Sequence, residues 1–255
     1  PFNSWMPQLA AEKPPFLVGL VLLLFNTVTL ILVIRYLDGF VWLRDDARIF
    51  VVLRLLGIIM ISSSVLQFLI EKNIYRTTAY LISYETGLAL IAMSLNQTAG
   101  WNAFILMFIP RILSIALWVV LLTYTQQTLS QNEAGVEQPM DVLLFTGFAL
   151  AALSIAGLPF LPGFVSRLSI YSVLMKVDYP ALIWVSIAGI GFIIACAGFL
   201  KNIYGRYKLV VNPAMTKTEK GYFFFLYTLI LVAGLFPQNI LSGFLSMLQA
   251  FPNLR

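Results

Sequence analysis

The chain has 255 residues, of which 60% are hydrophobic and 11% charged, and its mean hydropathy is +0.89. A soluble domain carries about 25% charged residues, so this composition excludes an ordinary cytosolic enzyme, a disordered chain and a nucleic-acid-binding domain. The formal charge of +5, from 16 Lys+Arg over 11 Asp+Glu, reads in a lipid-embedded chain as orientation and anionic-lipid contact.

Histidine is absent, which removes His-ligated zinc or haem and every Ser-His-Asp or Cys-His catalytic arrangement. The single cysteine, Cys196, lies in an apolar run and can form neither a disulfide framework nor a Cys-based metal site within the chain. No His- or Cys-based metal site is therefore expected, and with no nucleophile–base pair visible no catalytic site either. Pro1 to Lys13 has no basic region ahead of an apolar one and is not a signal peptide. The sequence is expected to start inside a longer protein or to lack residues ahead of Pro1, with 1–15 an interfacial lead-in.

A bilayer core of about 30 Å needs about 20 mostly apolar residues per helical crossing. In chain order, spans are expected at 16–37, 49–70, 77–95 and 103–125. The stretch 140–176 is interrupted by Gly157-Leu158-Pro159 and Pro162-Gly163, which break a helix. It reads as 140–156 and 160–176, meeting at that break. Spans 181–204 and 221–251 follow, the last with a break at Phe236-Pro237. The expected fold is all-α: a polytopic bundle of about eight spans, or seven if the broken pair is one kinked helix. Gln126–Pro139 and Tyr207–Lys220 read as polar connections. With eight spans, Arg35, Arg44, Arg48, Lys201, Arg206, Lys208, Lys217 and Lys220 share a side, which then faces the cytoplasm or matrix. With seven, the sorting changes and the lean reverses.

A charge at bilayer depth costs roughly 2.5–3.5 kcal/mol on insertion scales. Four residues therefore stand out. Arg54 lies about a turn and a half into its span and reads as snorkelling to the interface. Glu85 and Arg111 are deeper. They read either as a neutralising pair that locks two helices or as part of a proton or ion relay. Arg167 follows the break, where it can pair with backbone carbonyls or belong to an ion site on a discontinuous helix. Trp5, Trp42, Trp101 and Tyr179 sit near span ends and read as interface residues. Ser62-Ser63-Ser64 reads as helix–helix contact.

Three segments resemble a known family. Pro1-Phe2-Asn3-Ser4-Trp5-Met6-Pro7, with Ala11-Glu12 and Pro14, resembles P-F-H-x-W-L-P-x-A-H-x-x-A-P. Glu71-Lys72-Asn73-Ile74-Tyr75-Arg76-Thr77-Thr78-Ala79-Tyr80 is similar to Q-K-D-x-K-R-x-x-A-Y, which leads into S-S-I-S-H-x-G, and Gly87 keeps that glycine. Gly157-Leu158-Pro159-Phe160-Leu161-Pro162-Gly163-Phe164-Val165-Ser166-Arg167 resembles G-x-P-P-x-x-G-F-x-S-K. These motifs, in this order, are typical of the antiporter-like membrane subunits of respiratory complex I and of the multisubunit Na+/H+ antiporters. The resemblance implies the last eight helices of a 14-helix subunit. It also implies a bilayer location, in a bacterial plasma membrane or a mitochondrial inner membrane. The implied partners are the other membrane subunits of a complex I-like assembly, and the resemblance implies no redox cofactor in this chain, because the family's electron chemistry resides in peripheral subunits.

The departures bear on function. Where the resemblance implies a proton-path lysine in the first helix, this chain has Phe25-Asn26-Thr27. Tyr75 replaces the lysine of D-x-K-R, and Glu85 replaces the histidine of S-S-I-S-H. The helix that carries a histidine and then a lysine reads Pro110-Arg111-Ile112-Leu113-Ser114. Thr27, Tyr75 and Ser114 are thus lost channel positions, and Glu85, Arg111 and Arg167 the remaining proton or ion path candidates. Arginine holds its proton and suits a gate or structural cation better than a relay. The expected role is a mainly structural membrane-arm subunit. Translocation through rewired Glu85, Arg111 and Arg167 is one alternative, and a cation/proton antiporter outside complex I another.

Overall fold

The computed structural model describes residues 4–131, 139–210, 215–236 and 251. Its helices are α1 (Trp5–Glu12), α2 (Pro15–Gly39), α3 (Val41–Asp45), α4 (Ala47–Ile70), α5 (Thr77–Ser94), α6 (Thr98–Leu106), α7 (Phe108–Gln131), α8 (Val142–Ala156), α9 (Gly163–Val177), α10 (Tyr179–Arg206) and α11 (Lys217–Leu235). Two three-residue strands, β1 (Pro139–Asp141) and β2 (Lys208–Val210), pair in parallel with Met140 opposite Leu209. The protein is an all-α polytopic bundle. Among the described residues, α2, α4, the α6–α7 run, α10 and α11 are long and apolar enough to cross a membrane.

Local chemistry sets the ends of these helices. Pro15 opens α2, where its missing N–H costs nothing. Asp46, Asp141 and Asp178 each accept a backbone N–H from the first turn of α4, α8 and α10. Thr216 and Glu219 form a capping box at the start of α11. Pro110 explains the interruption at Met107: it cannot donate, and its ring crowds the carbonyl of Leu106, the last residue of α6. The stretch expected as one span from residue 103 is therefore two helices, beginning at Thr98.

Helix α5 occupies the centre, and every residue of it except Leu90 is buried. Its polar residues explain why it is the inner helix: lipid contact would leave Thr77, Thr78, Ser83, Glu85 and Thr86 unsatisfied. Helix α4 lies closest to it. A Cβ on Gly57 would meet the Gly87 carbonyl oxygen at 2.7 Å, and one on Gly87 would meet that of Gly57 at 2.9 Å. Small residues at a crossing let two backbones approach, as in membrane helix pairs generally.

The break between α8 and α9 falls where the Gly/Pro pattern puts it. Gly157 ends α8 at φ +77°, a left-handed conformation that favours glycine. Leu158 N–H bonds the Leu153 carbonyl and Gly157 N–H that of Ser154, each at 3.1 Å, which is a Schellman closure. A Cβ on Gly163 would lie 1.9 Å from the Ser154 carbonyl oxygen, so α9 starts hard against the end of α8. The start of α8 adjoins the end of α10 through β1 and β2, and the end of α9 adjoins its start through Asp178. The two short helices therefore run end to end along α10.

Three further expectations change. Residues 126–131 extend α7 rather than forming a loop; residues 132–138 lie outside the described residues, as does 237 onward at the expected Phe236-Pro237 break. Trp101 is 2% exposed and belongs to the core, unlike Trp5, Trp42 and Tyr179, which are exposed. Arg54 does not reach freely to an interface. Its guanidinium binds the Asp178 carboxylate, the Ser94 hydroxyl at 3.3 Å and the Ser94 carbonyl at 3.2 Å.

Candidate functional site

Glu85 projects from the middle of α5, and the break in the α8–α9 pair brings Arg167 to it. Arg167 Nη2 lies 2.7 Å from Glu85 Oε1, and both side chains are buried. The same nitrogen donates to the Ile155 carbonyl at 2.5 Å, in the last turn of α8. The Schellman turn leaves late α8 carbonyls without partners within the helix, and the guanidinium takes up one of them. Arg167 Cζ also sits 4.8 Å from the centroid of the Tyr84 ring, a cation–π distance. Tyr84 in turn stacks on Phe192 of α10 at 4.0 Å. Gly157 makes room for this arginine, since a Cβ there would meet Arg167 Cγ at 2.3 Å.

One of the two sequence readings made Arg111 and Glu85 a neutralising pair; their charges interact electrostatically, but the direct ion pair of Glu85 is with Arg167. Arg111 Nη2 donates to Thr86 Oγ1 at 3.0 Å, on the residue next to Glu85. Thr86 donates to the Ile82 carbonyl at 2.7 Å, and its hydroxyl lies 3.4 Å from Asn26 Oδ1. Residue sequence explains the division: Glu85 and Thr86 are about 100° apart on α5 and face different neighbours. The reading of Arg167 as a residue that pairs with backbone carbonyls at the break matches its bond to Ile155.

The lost channel positions are dispersed. Thr27 is half-buried on α2, one residue past the Asn26 that reaches the core. Tyr75 is half-buried in the turn between α4 and α5. Burial pushes its phenol above its ordinary value, and the neighbouring Tyr207 adds to this. Ser114 is buried on α7 and shares a 2.7 Å hydrogen bond with Ser154 of α8. Among the described residues no three His, Cys, Asp or Glu side chains gather as metal ligands.

Asn26, Thr86, Tyr84, Ser154 and Asp178 belong to this polar interior and were not singled out from sequence. Asp178 had a legible signal, because Asp followed by Tyr179-Pro180 marks a helix start. The Arg54–Asp178 pair lies near one end of the bundle, with the two side chains 20% and 22% exposed.

The family model described as "NADH:quinone oxidoreductase/Mrp antiporter, TM" matches residues 1–193. Three of the solved structures that share the fold illustrate this likeness. A chain of the membrane-bound sulfane sulfur reductase, an archaeal respiratory membrane complex, superposes with TM-score 0.83 at 18% identity, over 100% of this chain and 52% of that one. A chain of the Mrp complex from Dietzia sp. DQ12-45-1b gives 0.77 at 16%, over 98% and 56%. A chain of respiratory complex I from Thermus thermophilus gives 0.76 at 16%, over 100% and 55%. The chain thus spans about half the length of the solved chains it matches. No curated protein matches it in sequence.

Proposed function

Since the chain belongs to the NADH:quinone oxidoreductase/Mrp antiporter transmembrane family, we propose that it is a membrane-arm subunit of a complex I-like assembly, mainly structural, with little or no proton translocation of its own. One observation carries this reading: the buried carboxylate Glu85 is closed onto Arg167. Arginine does not give up its proton, so the pair makes a fixed electrostatic lock rather than a relay step. Thr27, Tyr75 and Ser114 offer no lysine or histidine to carry a proton further.

The helices support seven crossings among the described residues: α2, α4, α5, α6–α7, the end-to-end pair α8–α9, α10 and α11. The β1–β2 end then holds Lys13, Lys72, Arg76, Lys201, Arg206, Lys208, Lys217 and Lys220, and the other end Arg35, Arg44, Arg48 and Lys176. Eight against four supports a cytoplasmic or matrix side for the β1–β2 end.

A second reading has Glu85 as a titrating group, with Arg111 tuning it and Arg167 gating. It is favoured by the position of Glu85, the one buried acidic side chain at the bundle centre among the described residues. The two readings part on Glu85→Gln in the assembled complex. Unchanged proton stoichiometry with intact assembly supports the structural reading. Lost pumping with intact assembly overturns it and supports the second. A third reading, a cation/proton antiporter outside complex I, draws on the likeness to the Mrp chain. Copurification with antiporter subunits alone, without quinone- or iron–sulfur-binding subunits, selects it.

A further inference from the structure

A small polar cavity lies between α1, α4 and α5. Its volume is about 80 Å³, and Ser4, Ser63, Ser64, Gln67, Tyr80 and Ser83 line it. A water needs about 10–15 Å³ of such space, so the cavity takes several water-sized groups. Hydroxyl and amide surface in a lipid-embedded chain calls for a polar occupant, because lipid tails cannot satisfy it.

The hydrogen bonds decide the kind of occupant. Ser63 and Ser64 each reach the Met60 carbonyl oxygen, at 3.1 and 2.7 Å. A carbonyl only accepts, so both hydroxyl protons are spent there. Tyr80 Oη donates to the Glu71 carboxylate at 3.0 Å. Ser83 turns its hydroxyl toward the Met6 thioether at 3.9 Å. These oxygens therefore offer the cavity lone pairs and no protons. Glu71 stands one hydrogen bond behind Tyr80 and strengthens its phenol oxygen as an acceptor. Such a lining suits a donor-rich, positively charged guest.

Depth adds the source of that guest. Gln67 is three residues from the end of α4, and Tyr80 is three past the start of α5. At 1.5 Å per residue the cavity sits about 4–5 Å inside the helix ends, within reach of lipid headgroups. Ser4 and Gln67 are exposed and form its mouth. On the turn between the two helices Lys72 is exposed, and the Arg76 side chain is 44% exposed and reaches Glu71 only at 3.9 Å. These cations suit a phosphate beside the mouth.

We propose that the cavity takes the primary ammonium group of an ethanolamine phospholipid, with the phosphate of the same headgroup against Lys72 and Arg76. The three N–H donors of an ammonium meet the lone pairs of the spent hydroxyls. A choline headgroup has no N–H to give and three methyl groups to fit. The bound headgroup staples α1 to α4 and α5, and this is independent of whether protons pass through the chain.

The test is thermal unfolding of the full chain in nanodiscs in which phosphatidylcholine is replaced stepwise by its dimethyl, monomethyl and unmethylated ethanolamine forms with the same acyl chains. Binding to the folded state raises Tm saturably with the fraction of ethanolamine lipid, and an increase of about 2–4 °C is expected for a chain of this size. The gain is expected to shrink with each added methyl group, and Ser63→Ala combined with Ser64→Ala is expected to lose most of it. Equal Tm in choline and ethanolamine lipid overturns the proposal, as does a gain that survives the double change. Free ethanolamine added to phosphatidylcholine discs is expected to do little, and a response equal to that of the lipid overturns the headgroup as the source. If the double variant does not fold, native mass spectrometry of the unaltered chain released from an equimolar mixture of the two lipids decides. Preferential retention of the ethanolamine lipid supports the site, and equal retention overturns it.

Discussion

The two arginine–carboxylate pairs use the same chemistry in different solvents. Arg167–Glu85 is buried at the centre of the bundle, at 2.7 Å, inside a frame of Tyr84, Ile155 and Gly157. Arg54–Asp178 lies near one end, about one-fifth exposed, with Ser94 as its further partner. Two ions taken fully out of water depend on each other, because neither can recover its hydration when the partner is lost. A partly exposed pair falls back on water and salt, so its loss costs little. The central pair therefore locks the broken helix to α5, while the outer one trims the joint between α4, α5 and the α9–α10 turn.

That contrast can be broken first at the centre. Glu85→Ala is expected to destabilise the chain by about 3–5 kcal/mol, because it strands a buried guanidinium. The double change Glu85→Leu with Arg167→Met is expected to recover most of this loss, since it removes both charges. Thermal unfolding in nanodiscs measures both. A double variant as unstable as the single one shows that the cost lies in packing rather than in charge.

The next largest effect is expected at the frame. Gly163→Ala drives a methyl group into the Ser154 carbonyl, and a backbone shift in a tight interior costs about 1–3 kcal/mol. Its signature is easier proteolysis between α8 and α9. Gly205→Ala, where nothing lies within 4 Å of the added carbon, is the control expected to have little effect.

At the outer pair, Arg54→Ala is expected to cost about 1 kcal/mol or less and to matter less still at high salt. The pH dependence sharpens the difference. Partial burial pushes the Asp178 carboxyl up. The Ala181 N–H and the Arg54 guanidinium more than offset that and leave it below the ordinary carboxylate range. A folded-state value below the unfolded one means stability that is present above about pH 4 and lost as pH falls through the folded value. Asp178→Asn is expected to lower the neutral-pH Tm slightly, to leave the Tm at acid pH nearly unchanged, and so to flatten the acid side of the Tm profile.

The polar interior was legible in part. Glu85, Arg111 and Arg167 declared themselves as charges inside apolar runs, and the Gly157–Gly163 segment as a helix break. The partners did not. Glu85 and Arg111 made a natural pair by charge and depth, but the rotation of α5 turns residue 85 toward α9 and residue 86 toward α7. Trp101 had the position of an interface aromatic, yet α6 packs against α9 and buries it. Arg54 had the length to reach water, but Asp178, over 120 residues later in the chain, comes to meet it.

Composition and periodic Gly/Pro punctuation alone determined that this chain is a lipid-embedded helical bundle with a discontinuity after residue 156, because these follow from backbone hydrogen-bonding and hydrophobic length, which are local. The pairing of each buried charge and the end-to-end course of α8 and α9 were decided only by the tertiary structure. Both depend on how far each helix is rotated about its axis and which helices adjoin it. The close approach of Gly57 to Gly87, and the rest of the packing, set those two quantities.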